Sequence, residues 1–179
     1  MKNEAYQRLM DNLCDIVAEE QAKLGYMKEP IRLYYPLSSL NHFFDKDASV
    51  DEMQQKLSEF ESFAYDKFGE VEITHKGERF CFFLSERATE YVHENGGQNQ
   101  FIFDLVALLA KHGTVMEEVE ALFAKQKDAY EIEKMNHGEF DYMIHFVDSK
   151  DKYLYCFKDE GCHIIYHRFL PEDYADFDF

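Results

Sequence analysis

His145, Cys156, His163 and His167 place imidazole and thiol groups within one short C-terminal stretch, and those are the donors zinc prefers. Whether they can meet depends on the elements that carry them. Apolar residues alternate in three runs: Phe140-Tyr142-Ile144-Phe146, then Tyr153-Tyr155-Phe157, then Cys162-Ile164-Tyr166. Asp148-Ser149-Lys150-Asp151 and Lys158-Asp159-Glu160-Gly161 separate them. Period-two alternation broken by polar turns predicts an antiparallel meander. With four-residue turns, Phe146 faces Tyr153, Ile144 faces Tyr155 and Tyr142 faces Phe157. In the second hairpin Phe157 faces Cys162, Cys156 faces His163 and Tyr155 faces Ile164. His145 faces Leu154, so His145 and His163 stand two strands and two residues apart, about 12 Å. His163 and His167 are about 13 Å apart on one strand. Neither spacing suits a shared zinc, and the histidines are expected to be half-exposed sheet residues. No metal or other cofactor is expected.

Other catalytic patterns are equally thin. The chain contains no GxSxG, HExxH, P-loop or GxGxxG run, and Gly96-Gly97 lacks the preceding strand a phosphate loop needs. Glu19 and Glu20, with Arg32 or His42, offer an acid–base pairing, but 36 acidic residues make such pairings common by chance. The region with the richest mixture of polar, aromatic and apolar groups runs from Glu19 to Tyr26 and on through Ile31 to Phe44. If a ligand cleft exists, Tyr34, Tyr35, Ser38, Asn41 and His42 are the candidate lining. The alternative is that these are core aromatics and a capping serine.

The elements that would position these groups follow from periodicity. Tyr6, Leu9, Met10, Leu13, Ile16, Val17 and Leu24 recur at three and four, which predicts a helix over 3–24 stopped by Gly25. Ile31-Arg32-Leu33-Tyr34-Tyr35 reads as a short strand closed by Pro36, and 37–44 as a brief helix. Ser49-Val50-Asp51-Glu52 is a capping box, opening a helix with Met53, Leu57, Phe60, Ala64 and Phe68 inward and Gly69 at its end. Val71-Glu72-Ile73-Thr74 and Phe80-Cys81-Phe82-Phe83-Leu84 flank a turn at His75-Lys76-Gly77-Glu78. The second strand is apolar on both faces and is therefore expected in the middle of its sheet. Ser85 begins another helix through Tyr91 and Val92. After the flexible joint Asn95-Gly96-Gly97, residues 101–109 are apolar nearly all round and are expected to form the most buried helix, covering the meander. Thr114-Val115-Met116-Glu117 is read as a second capping box, with its helix running towards Ile132. The two boxes also leave open a tandem repeat. The end, Pro171 to Phe179, is acidic and aromatic without a packable face of its own.

The order helix, strand, helix, helix, strand, turn, strand over residues 3–95 resembles a winged helix. That resemblance implies Val50–Phe68 as the recognition helix and 75–78 as the wing tip. Asp51, Glu52, Glu59, Glu61 and Asp66 against Lys56 and Lys67 give this helix the wrong sign for a major groove. A second resemblance rests on residues 19–44. That run, Glu19-Glu20-Gln21-Ala22-Lys23-Leu24-Gly25-Tyr26 leading into Ile31-Arg32-Leu33-Tyr34-Tyr35-Pro36, is similar to a family of bacterial proteins from gut clostridia, a domain of unknown function. It implies a provenance and no activity.

Bulk composition sets the remaining limits. The 179 residues, 46% hydrophobic with 17 Phe and 12 Tyr, suffice for a packed core. A net charge of −17 disfavours nucleic acid and anionic membranes as partners. The N-terminus lacks an apolar leader and no run reaches membrane-spanning length, so a cytoplasmic location is expected. The four cysteines have no CxxC spacing and are expected to be buried, reduced thiols. The expected fold is α+β: a winged-helix-like lobe over 1–95, then helices and a three-stranded antiparallel meander with an acidic tail over 98–179. The expected function is a non-catalytic protein-interaction module with an acidic surface, bound to a protein partner or to itself. The alternative is a small-ligand-binding protein or enzyme using residues 34–42.

Overall fold

A computed structural model describes residues 2–44, 47–96, 99–136 and 138–175. Backbone contacts group the chain into two compact units, Met1–Gln98 and Asn99–Phe179. The fold is α+β, with seven helices and two antiparallel sheets among the described residues.

In the first unit the order is α1 (Lys2–Leu24), β1 (Ile31–Pro36), α2 (Leu37–Phe44), α3 (Val50–Phe68), β2 (Val71–Lys76), β3 (Arg79–Leu84) and α4 (Glu86–Asn95). The sheet order β1-β3-β2 puts the most apolar strand in the middle, as its sequence implies. Its second face is only half covered: Phe83 carries the Arg32 guanidinium 4.9 Å from its ring centre. The five-residue stripe of α3, Met53, Leu57, Phe60, Ala64 and Phe68, is completely shielded from solvent. Burying a ring such as Phe60 contributes about 2–3 kcal/mol. The Ser49 capping box forms as expected, Ser49 Oγ accepting from the Glu52 amide while Glu52 accepts from the Ser49 amide at 2.9 Å. The β2–β3 turn is tighter than expected, two residues rather than four, because positive φ is available at Gly77 (58°). Ser85 stands at the N-cap of α4, but its hydroxyl donates to Phe68 O at 2.9 Å rather than capping its own helix.

The second unit contains α5 (Gln100–Leu109), α6 (Met116–Ala124), β4 (Tyr130–Lys134), β5 (Tyr142–Phe146), β6 (Leu154–Asp159), β7 (Ile164–Phe169) and α7 (Pro171–Ala175). Its sheet has four strands, in the order β4-β5-β6-β7, where three were expected. The helix predicted to run towards Ile132 stops at Ala124. Tyr130 and Ile132 then alternate with Glu131 and Glu133 along β4, which pairs with β5. The N-cap of α6 is Val115, whose amide donates to Glu118 Oε2 at 3.1 Å. Thr114 instead donates back to Leu108 O (2.8 Å), with Lys111 O at 3.1 Å. The second capping box is thus displaced by one residue, and two helices ahead of a four-stranded meander do not repeat the first unit.

The β5–β6 register agrees with expectation: Tyr142 faces Phe157, Ile144 faces Tyr155 and His145 faces Leu154. The β6–β7 register does not. Phe157 faces Tyr166 and Cys156 faces His167, because the turn lies at residues 160–163 around Gly161 (φ 83°). Moving the turn by two residues preserves the faces, so Ile164 and Tyr166 still point inward. Phe101, Phe123, Phe146 and Tyr155 meet edge to face at ring separations of 4.8–6.3 Å, apart from a tilted Phe123–Phe146 pair at 5.1 Å. Helix α5 therefore covers the meander, yet it is not the most buried helix. It buries Phe101, Ile102 and Leu105, whereas Ala107 is exposed and Leu108 and Leu109 are half-buried. The acidic end is partly helical, with Tyr174 in α7 packed on Phe169 at 5.9 Å. The expectation for residues 176–179 falls outside the described residues.

Candidate functional site

Helix α1 ends because Gly25 adopts φ 82°, a left-handed conformation glycine takes without strain. Its amide still closes on Gln21 O at 2.9 Å. The chain then runs back along α4, whose residues 86, 89, 90 and 93 lie three and four apart and so share a face. The Thr89 hydroxyl donates to Glu29 O (3.1 Å) and Glu86 O (2.9 Å). Lys28 Nζ meets Glu90 Oε1 at 2.8 Å, and Tyr26 stacks flat on His93 with ring centres 3.8 Å apart. Gln21 Nε2 completes the set by donating to Thr89 O at 2.9 Å. Each neutral hydrogen bond is worth about 1 kcal/mol. Together they hold an irregular loop in one path.

Between α1, this loop, the start of β1 and α4 lies an open groove of about 230 Å³. Val17, Ile31 and Pro30 give it an apolar lining, and Leu24 and Met27 border it while remaining 71% and 54% exposed. Glu20 and Glu29 supply its charge. The nearby cations are already engaged, Lys23 with Glu19 at 2.7 Å and Lys28 with Glu90. The Glu90 carboxylate raises the Lys28 ammonium above its ordinary value and keeps it charged.

The candidate residues from sequence occupy different settings. The Tyr35 hydroxyl donates to Asn12 Oδ1 at 2.6 Å, and its ring packs on Phe82 and Phe43. Asn41 clamps the far side of a loop, donating to Ala48 O (3.3 Å) and accepting from Ala48 N (3.0 Å). Ser38 is half-buried in the first turn of α2, and His42 is exposed. Tyr34 lies on the exposed side of β1 under the Arg79 guanidinium, 4.9 Å from its ring centre. Thus Tyr34 and Tyr35 point to opposite faces, and none of the five lines the groove, whose nearest member is Ile31. Of the acid–base candidates, Glu20 lines the groove, Glu19 pairs with Lys23 and Arg32 covers Phe83.

In the second unit the histidines are dispersed. His145 approaches Glu131 at 3.5 Å, His163 approaches Glu160 at 2.9 Å, and His167 packs between Phe140 and Phe169. Among the described residues no three acidic, His or Cys groups gather in a metal-binding arrangement. A cleft of about 490 Å³ is bordered by Asn99, Phe101, Lys125, Lys127, Ser149 and Asp151. Two of its polar groups bond internally: Ser149 donates to Asp128, and Asp151 accepts from Tyr155 Oη at 2.6 Å. Burial pushes the Tyr155 phenol far up, so it stays a donor.

Sequence reading missed Gln21, Leu24, Met27 and Thr89 as a set. Leu24 looked like the last member of an inward stripe, and only its place in the final turn, beside Gly25, signals otherwise. No local signal marks Thr89, whose partner Glu29 is sixty residues away.

An α+β chain with a pinned surface groove and a separate antiparallel meander is thus the class of protein defined. A family model described as "Domain of unknown function, E. rectale Gene description (DUF3877)" matches residues 6–177, and the chain belongs to that family. No curated protein and no solved structure matches it. No helix among the described residues is long and apolar enough to cross a membrane.

Proposed function

We propose that the protein is a non-catalytic protein-binding module whose α1/α4 groove seats a segment of a partner protein that is apolar at its centre and basic at its flanks. The observation that carries this is the exposure of Leu24 and Met27 beside a groove already lined by Val17, Pro30 and Ile31. Large apolar side chains held rigidly at a concave rim favour a partner over water. Glu20 and Glu29 select its charge, and the overall −17 steers a basic segment inwards. The pinned loop lowers the ordering cost of binding. The element order of the first unit, with β3 between β1 and β2, supports a winged-helix-like reading of residues 1–95 followed by a second domain over 98–179. On that reading α3 offers Asp51, Glu52 and Asp66 at its exposed positions, which favours protein over nucleic acid.

The test uses a designed helical peptide with leucine on one face and lysine elsewhere, titrated into the full chain and followed by amide chemical shifts. Shifts concentrated at Leu24, Met27, Gly25 and Thr89 are expected. The double variant Leu24→Ser, Met27→Ser should bind about thirtyfold more weakly, since each exposed anchor is worth about 1 kcal/mol. Undiminished binding by that variant would mean the peptide sees only diffuse negative charge, and the groove assignment would be abandoned.

A further inference from the structure

The β6–β7 turn carries three side chains in a row of contacts that the binding reading does not use. Cys162 Sγ is 3.1 Å from His163 Nδ1, and His163 Nε2 is 2.9 Å from Glu160 Oε2. A nucleophile within hydrogen-bond reach of a base, which is itself oriented by a third group, is the arrangement that activates a thiol. The carboxylate favours the tautomer in which Nε2–H donates to Glu160, which leaves Nδ1 as the acceptor nearest the sulfur.

The backbone of the turn is held on both sides. Glu160 N donates to His163 O at 3.0 Å, Gly161 N to Asp159 Oδ1 at 2.8 Å, and Gly113 N to Cys162 O at 3.0 Å. The other cysteines are in contrasting settings. Cys156 is buried and Cys14 and Cys81 are half-buried, whereas Cys162 is exposed, contrary to the expectation of four buried thiols. Burial pushes the Cys156 thiol up to about 12 and, with Asp11 and Asp15 nearby, Cys14 up to about 11, so both stay protonated and inert. Asp159, Glu160 and His163 lie on Cys162's own turn, and the segment that bonds Cys162 O through Gly113 N carries Lys111 and His112 just before it in the chain. Lys158 is taken up by Asp141 at 3.6 Å. Negative charge next to the sulfur favours an uncharged or cationic reagent over an anionic one.

We propose that Cys162 is a reactive thiol that exchanges with small, uncharged or cationic disulfides, with His163 as its base and Glu160 as a positioning residue. His163 Nδ1 takes the thiol proton, and the Cys162 sulfur attacks one sulfur of the disulfide. The new S–S bond forms as the old one breaks. The departing thiolate takes the proton back from the imidazolium, so electrons and protons balance with the disulfide as oxidant.

The experiment treats the full chain with cystamine at neutral pH and follows each cysteine by mass spectrometry. Cys162 should be modified about tenfold faster than Cys14, Cys81 or Cys156. His163→Ala should slow Cys162 about tenfold at neutral pH. That difference should close near pH 10, where solvent alone ionises exposed thiols. Glu160→Gln should slow it less, and the dianionic disulfide dithiodiglycolate should react more slowly than cystamine. These side chains are about half exposed, so the variants should keep the parent melting curve. Equal rates for the parent and His163→Ala at neutral pH would show exposure without activation and overturn the proposal.

Discussion

The two units bury their cores by different means. The first packs four helices and a three-stranded sheet around Leu9, Leu13, Leu57, Phe60, Phe80 and Phe82, with its surface loops tied down by single side chains. The second rests on one cluster of rings, in which Phe101 and Phe123 from the helices meet Phe146 and Tyr155 from the sheet. Distributed packing spreads the cost of a lesion, and a ring cluster concentrates it. In the first unit Thr89 and Asn41 pin loops while Tyr35 ties the core to Asn12, and in the second the fully buried Tyr155 bonds Asp151 from the centre of the ring cluster.

Truncating the centre of the ring cluster should therefore have the largest effect. Tyr155→Ala is expected to cost about 3–5 kcal/mol in urea unfolding, while Tyr155→Phe, which keeps the ring and loses the Asp151 bond, should cost about 1–2. If the two variants are equally destabilised, the hydroxyl rather than the ring organises the sheet, and the contrast between the units is wrong.

A clamp in the first unit should matter less. Asn41→Ala removes both hydrogen bonds to Ala48 and is expected to cost about 1–2 kcal/mol without altering peptide binding in the groove. A change in affinity at unchanged stability would move residues 34–42 from support to binding.

Smaller still is a pH effect. Burial and the Glu59 carboxylate raise the Tyr6 phenol from 10.0 to about 12. A raised value means the fold holds the neutral phenol, so this contribution is complete below about pH 10 and is lost as pH climbs through about 12. Urea midpoints measured across that range should fall, and Tyr6→Phe should flatten the slope. An unchanged slope in the variant would place the alkaline loss elsewhere, with Tyr155 the next group to replace.

The smallest expected effect is none at all. Duplex DNA should not bind at about 0.15 M salt, because α3 is acidic and the β2–β3 turn offers only Lys76 and Arg79. Binding that weakens steeply with salt would show that the first unit serves nucleic acid after all.

Local pattern told most of the architecture. The α3 stripe, the central position of β3 and the β5–β6 register all follow from apolar spacing, because each is decided by residues near one another in sequence. Strand β4 was obscured because only Tyr130 and Ile132 alternate there, and a preceding helix with favourable residues masks so short a run. The β6–β7 turn was misplaced because both positions bury the same rings, so alternation cannot separate them. The groove's neighbourhood was signalled by the composition of residues 19–44, but its shape and the residues that line it were not. Its shape depends on Gln21 and Glu29 meeting Thr89 across more than fifty residues, and no periodicity encodes such a meeting.

The two in-phase pairings of β6 with β7 have a consequence for the time course of folding. A growing hairpin can zip in either alignment and satisfy its rings, so hydrophobic collapse alone does not choose between them. The choice falls to the backbone of residues 159–163 and to the strap from Gly113 to Cys162, which needs the α5–α6 connection in place. Replacing Gly161, whose φ of 83° disfavours any side chain, should then leave part of the population waiting in the other alignment. Refolding would acquire a second, slower kinetic phase, and amide exchange along β7 would split into two classes of molecule.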